Sequence, residues 1–288
     1  MEIWKTSYNG NTLSTIKFDL PKVFSAQLNT HGMVPRNSQS SRAVPYNKLN
    51  IVPDFVPEFV GLNKSGMQPK SYLEGQDLEW FLGEWSRLQR IVQGELDNIQ
   101  EQAKLKFGRT ISKEIINRPL DPFKMVKIVA TFAHTPYSLE NFLKQRCHSD
   151  CQGDFRKIAL QIEEIIQDTI PIESKVHLPF SFGKTIEEQI LSSVANCAAV
   201  SYRKEIKDLD RCKDIVYNKL LTGEVIHWSP FHHQGFYGYR WSNKLNRAQF
   251  LGTSFAQLRK ILDSSEDNSH EATIKRLSCL YKKSACDS

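Results

Sequence analysis

A polar segment near the N-terminus gathers side chains that readily bind a phosphate or a nucleotide. Within positions 27–42 the chain carries these amide, imidazole, hydroxyl and guanidinium groups: Gln27, His31, Arg36, Asn37, Ser38, Ser40, Ser41 and Arg42. Arginine forms bidentate hydrogen bonds with phosphate oxygens, and serine and asparagine can complete such a cradle. Composition alone favours a hydrophilic surface loop, so an anion-binding loop is the alternative that further residues must support.

Two groups of histidine and cysteine raise the question of a metal site. The first is Cys147, His148 and Cys151, whose spacing suits zinc but lacks a convincing second pair of ligands. The second is His227 with the adjacent pair His232-His233; neighbouring residues on a strand point to opposite faces, so this pair is poorly placed to share one metal. The sequence therefore predicts no metal.

Aromatic and basic residues alternate near the C-terminal third, at Phe236, Tyr237, Tyr239, Arg240 and Trp241. Such a pattern can stack nucleic-acid bases. A role in the core or in a subunit contact is the favoured interpretation, and nucleic-acid binding is the alternative.

Composition restricts the class of protein. The 288 residues carry 38 Lys and Arg against 32 Asp and Glu, a net charge of +6 that suits an anionic ligand without identifying it. The six widely spaced cysteines are typical of reduced thiols rather than a disulfide framework. Since the start resembles no signal peptide and no apolar run is long enough to span a bilayer, we expect a cytoplasmic protein without a membrane partner.

Hydrophobic periodicity predicts the elements that position these residues. A strand is expected at Leu13–Phe18, stopped by Pro21, and a helix begins at Val23–Asn29. The remaining predictions are a long connection at 44–75, a packing helix (less favoured, a coiled coil) at 76–107, a strand or buried helix at 123–135, a helix at 138–168, a linker at 170–183, two helices in 185–222, a break at 223–241, a helix at 253–263 and a mobile polar tail at 264–288.

The first segment resembles the signature of the flavin-dependent thymidylate synthases. That signature has the form Arg-His-Arg-x-x-Ser-x-Asn-x-x-Ser-x-Arg, with a glutamine four residues before the histidine. The positions that match it are Gln27, His31, Asn37, Ser40 and Arg42. Three positions depart from it, because Thr30 and Gly32 replace the two arginines beside the histidine and Pro35 replaces the first serine.

Two more stretches resemble the same family. The stretch from Asn141 through Arg146 to Asp154 is similar to Asn-Phe-x-x-x-Arg…Ala-Gln-x-Glu, in which the asparagine touches flavin and the arginine faces the pyrimidine. Upstream, the segment from Asn117 to Pro122 resembles Ala-Arg-x-x-x-Pro. The arginine of that family segment binds the nucleotide and corresponds to Arg118 here.

The third likeness stands in a different order along the chain. Residues 195–202 are similar to the family's Ala-Ala-Arg-Val-Ser/Cys-Tyr, and residues 223–233 are similar to Gly-His-x-Ser-Pro-Phe-Glu-His, with His232 in place of the glutamate. Both usually precede the signature and here follow it. The resemblance therefore implies a permuted relative, in which His233 would lie near His31.

The resemblance implies a fold, a function and a set of site residues. The fold would be α/β, with a central mixed sheet and long packing helices, in one catalytic domain over 1–263. The permutation would divide this domain into two halves, 1–170 and 185–263. The reaction would transfer a one-carbon unit from methylene-tetrahydrofolate to C5 of deoxyuridine monophosphate, with FAD and NADPH, in a homotetramer. The alternatives are another C5 modification such as hydroxymethylation, or an inactive paralogue that binds nucleotide or nucleic acid.

Each site residue takes its role from the matched position. Arg146 would be catalytic, and its loss is expected to abolish turnover while leaving the fold intact. The substrate would be bound by Gln27, Ser40, Arg42, Arg118 and Arg146. The cofactor would be bound by His31, Asn37, Asn141 and His233.

Overall fold

The computed structural model of the chain describes residues 1–40, 54–65, 69–201, 205–222, 226–242, 247–263 and 270–284. Over these residues the protein is a mixed α/β structure. The strands of its first sheet are β1 (Glu2–Tyr8), β2 (Asn11–Pro21), β3 (Arg36–Ser38), β4 (Met125–Ala133) and β5 (Ile172–Glu173). They lie in the order β3-β4-β2-β1-β5, and because β1 and β5 are parallel while the other pairs are antiparallel, the sheet is mixed.

The first sheet is covered on both faces. On one face, alternate residues of β2 and β4 pack against helices, including Ile16, Leu20 and Phe132, which are buried. The helices on this side are α1 (Ser25–Asn29), α4 (Leu139–Arg146) and α5 (Gly153–Asp168). The other face presents Thr15 and Thr131 toward the C-terminal part of the chain, because successive strand residues point to opposite faces.

A second, antiparallel sheet forms in the C-terminal part. It consists of β6 (Val176–His177), β7 (Gly235–Ser242) and β8 (Arg247–Gln257). Its core is shared with α6 (Ile186–Ala198), α7 (Leu209–Lys213), the π-helix Asp214–Leu220, α8 (Leu258–Leu262) and α9 (His270–Ser284). Helix α6 starts with a capping box, in which Thr185 and Glu188 satisfy each other's backbone N–H groups.

The long helix predicted at 76–107 is present as α2 (Gly75–Phe107), and Gly108 ends it in the left-handed conformation. It is followed by α3 (Lys113–Ile116). One face of α2 packs through Trp85, Val92 and Leu96 on residues 111–123. The predicted apolar face is only partly covered, since Leu88 is 47% exposed.

Several predicted elements differ from the structure, and among them the predicted linker at 170–183 contains β5 and β6 and the predicted break at 223–241 contains most of β7. The helix predicted at 138–168 is interrupted between α4 and α5, and the two helices pack on each other. The helix predicted at 253–263 is confirmed at Leu258–Leu262 as α8, whereas its first five positions belong to strand β8, whose pairing with β7 places Phe255 against Tyr237 at 5.6 Å between ring centroids. The predicted mobile tail contains α9, in which Leu277 and Leu280 are buried in the second core.

Among the described residues, no helix is long and apolar enough to cross a membrane.

Candidate functional site

Arg146, at the end of α4, joins three residues of the signature segment. Its Nε donates to His31 Nε2 at 2.9 Å, and its Nη2 donates to the Gln27 carbonyl at 3.1 Å and to Thr30 Oγ1 at 3.0 Å. The guanidinium also lies 5.2 Å from the Phe155 ring centroid. More than a hundred residues separate Arg146 from the signature, so the fold brings together two stretches that the sequence matched separately.

The electrostatics of this group keep His31 neutral. Burial, then the charges of Arg146 and Arg36, lower the pKa of His31 to about 4. Because Arg146 donates to Nε2, the neutral ring carries its proton on Nδ1. The ring also packs edge-on against Phe142, with centroids 5.1 Å apart, so His31 is held from two sides.

Arg36 clamps the turn between α1 and β3. Its Nε donates to Asn29 Oδ1 at 2.6 Å and its Nη2 to the Asn29 carbonyl at 3.0 Å, while Nη1 donates to the carbonyls of His31 at 3.1 Å and Val34 at 2.8 Å. Four of its five N–H donors are therefore engaged within the turn. Arg36 orders the loop and has one N–H left for a ligand.

A cleft of about 530 Å³ opens on the other side of α1. One wall belongs to the signature segment, through Asn29, Gly32 and Arg36, and the opposite wall includes Ser229 and His232. The sequence matched these two walls to separate family motifs, and the structure places them across one cleft. Arg259 lies 2.6 Å from His232 Nε2, which brings a further positive charge to this wall.

The cleft also contains polar groups suited to an anion. Lys22 lines it, and so does Ser25, whose buried hydroxyl has no hydrogen-bond partner among the described residues. A buried polar group without a partner is costly, so a ligand or water that bonds to Ser25 is favoured. Sequence reasoning missed both residues, although Ser25 stands at the start of the predicted helix.

His233 lies at the interface of the two sheets. It is fully buried, and its Nδ1 lies 2.8 Å from Thr131 Oγ1. Thr131 in turn donates its backbone N–H to the Pro35 carbonyl at 2.9 Å, which places His233 behind the signature segment. Its Nε2 is the ring atom left without a partner among the described residues.

The remaining predicted site residues are distributed around the signature. Asn37 is buried, and its Nδ2 donates to the Cys197 carbonyl at 3.1 Å, which ties β3 to α6. Asn141 accepts from Gln145 on α4 at 2.9 Å, and Ser40 is exposed beyond β3. Arg118 is exposed and donates to the Glu114 carbonyl at 2.9 Å. Arg42 lies outside the described residues.

The segment from Phe236 to Trp241, in which aromatic and basic residues alternate, lies at least partly in the protein core. Phe236 and Tyr237 are 0% and 4% exposed, so neither can stack on a base at the surface. The side chains of Tyr239, Arg240 and Trp241 lie outside the described residues.

The buried histidines predict acid sensitivity. Burial lowers the pKa values of His177 and His233 to about 3, whereas each takes up a proton near pH 6.5 once unfolded. The unfolded chain then binds more protons, so their contribution to stability is present above pH 6.5 and is lost as the pH falls toward 3, by up to about 1.4 kcal/mol per pH unit for each imidazole.

We expect the urea midpoint to drop between pH 7 and pH 5, with a smaller drop in His177→Gln. The exposed His148 provides the matched control, since His148→Gln leaves both buried rings in place. An equal midpoint at pH 7 and pH 5 would contradict this expectation.

Comparison with known proteins does not establish the family of this chain. No family model matches the chain, and no curated protein matches it. Among solved structures, the chain is similar to the flavin-dependent thymidylate synthase ThyX from Helicobacter pylori complexed with FAD and dUMP, with 17% identity and a TM-score of 0.32 over 54% of this chain and 66% of that chain. The match thus spans slightly less than two thirds of that chain. Because a TM-score of 0.32 does not establish a shared fold, the activity of this chain is a proposal that depends on its own residues.

Proposed function

We propose that this chain is a flavin-dependent enzyme related to the thymidylate synthases, which transfers a one-carbon unit from methylene-tetrahydrofolate to C5 of deoxyuridine monophosphate. The observation that carries the proposal is the contact of Arg146 with Gln27, Thr30 and His31. The resemblance leads us to expect a pyrimidine-facing arginine at Arg146, and this arginine contacts the signature although 115 residues separate it from His31, which supports the proposal.

The residues present fit the phosphates and ribose of a flavin or nucleotide. The cleft offers the Lys22 ammonium, the unpartnered Ser25 hydroxyl and the remaining Arg36 N–H, all of which are donors toward an anion. Its volume of about 530 Å³ lies within the range of small-molecule sites. FAD is therefore the proposed cofactor, with NADPH as its reductant.

The chain's own residues bind and orient the reactants. Bound flavin supplies the hydride chemistry, and the protein positions it. Arg146 is held by His31 and Thr30 before substrate arrives, so its charge is fixed in place. Such a fixed donor stabilises negative charge that develops on the pyrimidine carbonyl when C5 reacts. Neutral His31 orients the guanidinium without competing for the anionic substrate.

Other contacts of the proposed site come from the resemblance alone. Arg42, Arg118 and Ser40 are proposed for the substrate phosphate, and Asn141 and His233 for the cofactor. Arg118 is exposed in the single chain, so it would reach a substrate held partly by a neighbouring subunit. A homotetramer with shared sites is accordingly part of the proposal.

A second candidate is a nucleotide-binding protein without turnover, or an enzyme with a different C5 product such as a hydroxymethyl group. The specific observation in its favour is the loss of cationic donors from the signature. Thr30 and Gly32 stand where the family has arginines, and Arg36 has only one N–H left to replace them. FAD affinity is therefore expected to be weaker than is usual in the family.

We expect the purified chain to bind FAD, and Lys22→Ala to weaken that binding about tenfold through loss of one charge-assisted contact. Fluorescence titration measures both. Lys113→Ala, at an exposed lysine on α3, is the matched control and should bind as the wild type does. A chain that binds no flavin in titration would refute the flavoenzyme proposal.

The reaction itself is tested with labelled methylene-tetrahydrofolate, dUMP, FAD and NADPH. Label in thymidylate supports the proposed reaction. Label in a hydroxymethylated nucleotide supports the second candidate enzyme, and flavin binding without label transfer supports the inactive paralogue.

A further inference from the structure

We propose that His177, Thr15, Thr131 and His233 form a buried proton wire that joins the two sheets and forces the two histidines to adopt the same tautomer. The hydrogen bonds of this wire do not depend on the proposed flavin reaction, although His233 is also one of the residues proposed for the cofactor. It is carried by four side chains, which we call the Thr–His chain.

The Thr–His chain is continuous and buried. His177 Nε2 lies 2.8 Å from Thr15 Oγ1, Thr15 Oγ1 lies 2.7 Å from Thr131 Oγ1, and Thr131 Oγ1 lies 2.8 Å from His233 Nδ1. Exposure is 0% for Thr15 and both histidines and 5% for Thr131. All three distances are those of well-formed hydrogen bonds.

Counting protons constrains the tautomers. The chain has three hydrogen bonds, and the two hydroxyls supply two protons, so one imidazole N–H must supply the third. If His177 donates through Nε2, His233 accepts at Nδ1 and carries its proton on Nε2. If His233 donates through Nδ1, His177 accepts at Nε2 and carries its proton on Nδ1. The two rings are thus both protonated on Nε2 or both on Nδ1.

Opposite tautomers leave the Thr–His chain with a defect. When neither ring donates inward, both hydroxyls donate outward and two oxygens face each other at 2.7 Å without a proton between them. When both rings donate inward, one hydroxyl proton lacks an acceptor, because each hydroxyl has two recorded partners within the described residues. Either defect disfavours opposite tautomers by about tenfold or more.

Interconversion of the two allowed states moves one proton from end to end. A water-borne proton binds His177 Nδ1, the Nε2 proton passes to Thr15, the Thr15 proton to Thr131 and the Thr131 proton to His233 Nδ1. The proton on His233 Nε2 then leaves to water, so charge and atoms balance. The two outer nitrogens, His177 Nδ1 and His233 Nε2, have no partner among the described residues and are the entry and exit points.

The His233 end of the wire lies behind the cleft. The adjacent His232 lines the cleft, and Thr131 bonds to the carbonyl of Pro35, another lining residue. Burial lowers the pKa of both wire histidines to about 3, which keeps them neutral at physiological pH, as the proton count requires.

The test is nitrogen NMR on the full chain labelled with 15N-histidine at pH 7.5. Two-bond proton–nitrogen correlations distinguish Nδ1–H from Nε2–H rings, and His177→Gln and His233→Gln assign the two signals. We expect both rings to show one tautomer or to exchange together between the two. A stable pair of opposite tautomers would overturn the proposal.

A second measurement tests transfer along the wire. Thr131→Val keeps the side-chain shape but removes one of the two inner hydroxyls, so the relay between the rings is interrupted and we expect solvent exchange of the wire's imidazole N–H to slow. Thr131→Ser keeps the hydroxyl and should exchange as the wild type does. Thr15→Val serves if Thr131→Val does not fold. Exchange unchanged in a folded valine variant would also overturn the proposal.

Discussion

Arg146→Ala is expected to reduce turnover by roughly 100-fold or more, because a fixed donor to the developing charge on the substrate is lost. The variant should also unfold at a lower denaturant concentration. Three hydrogen bonds connect Arg146 to α1 and the turn after it, and their loss costs about 3 kcal/mol in the free energy of unfolding. Steady-state assays and urea titration measure the two effects.

This second effect adds to an expectation from the sequence. Sequence matching treats Arg146 as a ligand-facing residue whose removal abolishes turnover and leaves the fold intact, and this stays a prediction. In the structure the same guanidinium attaches α4 to the signature segment, so a lower free energy of unfolding is expected beside the loss of turnover.

Two variants separate the two roles of Arg146. Arg146→Lys retains the charge but not the planar fork, so it should recover part of the stability and little of the turnover. Lys144→Ala removes an exposed cation from the same helix and should change neither quantity. Turnover equal to wild type in folded Arg146→Ala would exclude this arginine from the mechanism.

Local sequence patterns predicted the elements whose cause is local. The strand at Leu13–Phe18 is confirmed within β2, since its alternating apolar residues face a helical layer. The hairpin before it was not predicted, although its turn at Asn9-Gly10, where both residues have positive φ, is a local signal. The alternation within β2 could be read from neighbouring residues, whereas its pairing with β4 could not.

Elements that depend on distant partners were predicted poorly. Strand β8 exists because residues 247–257 pair with β7, and α9 is ordered because Leu277 and Leu280 reach the second core. Periodicity within a segment does not contain this information, since tertiary pairing overrides local preference.

The residues of the candidate site also fall into those that the sequence identified and those that it did not. Motif spacing identified Gln27, His31 and Arg146, which the structure brings into contact. It did not identify Ser25, because a single serine at a helix start has no distinctive spacing. It also could not show that the donors of Arg36 are mostly engaged by carbonyls, because only the folded turn places these around the guanidinium.

The packing beneath the site predicts the largest loss of stability. Phe142 is fully buried and its ring contacts Phe132, at 5.0 Å between centroids, and His31, at 5.1 Å. Phe142→Ala removes this ring and leaves a cavity between α4 and β4, so we expect a loss of about 3–5 kcal/mol in the free energy of unfolding. Urea titration at pH 7.5 measures it.

Phe142→Ala is also expected to change the candidate site, because the Phe142 ring packs against His31. Burial is the largest cause of the lowered His31 pKa, so water entering the cavity should raise that pKa toward its ordinary value. A protonated His31 cannot accept from Arg146 Nε, so the arginine loses its orientation. NMR titration of His31 measures this shift.

Tyr137→Ala removes an aromatic ring that is 78% exposed and should leave both stability and the His31 titration unchanged. A loss below about 1 kcal/mol in Phe142→Ala, outside the usual range for a buried aromatic, would mean that α4 does not support the Arg146–His31 contact.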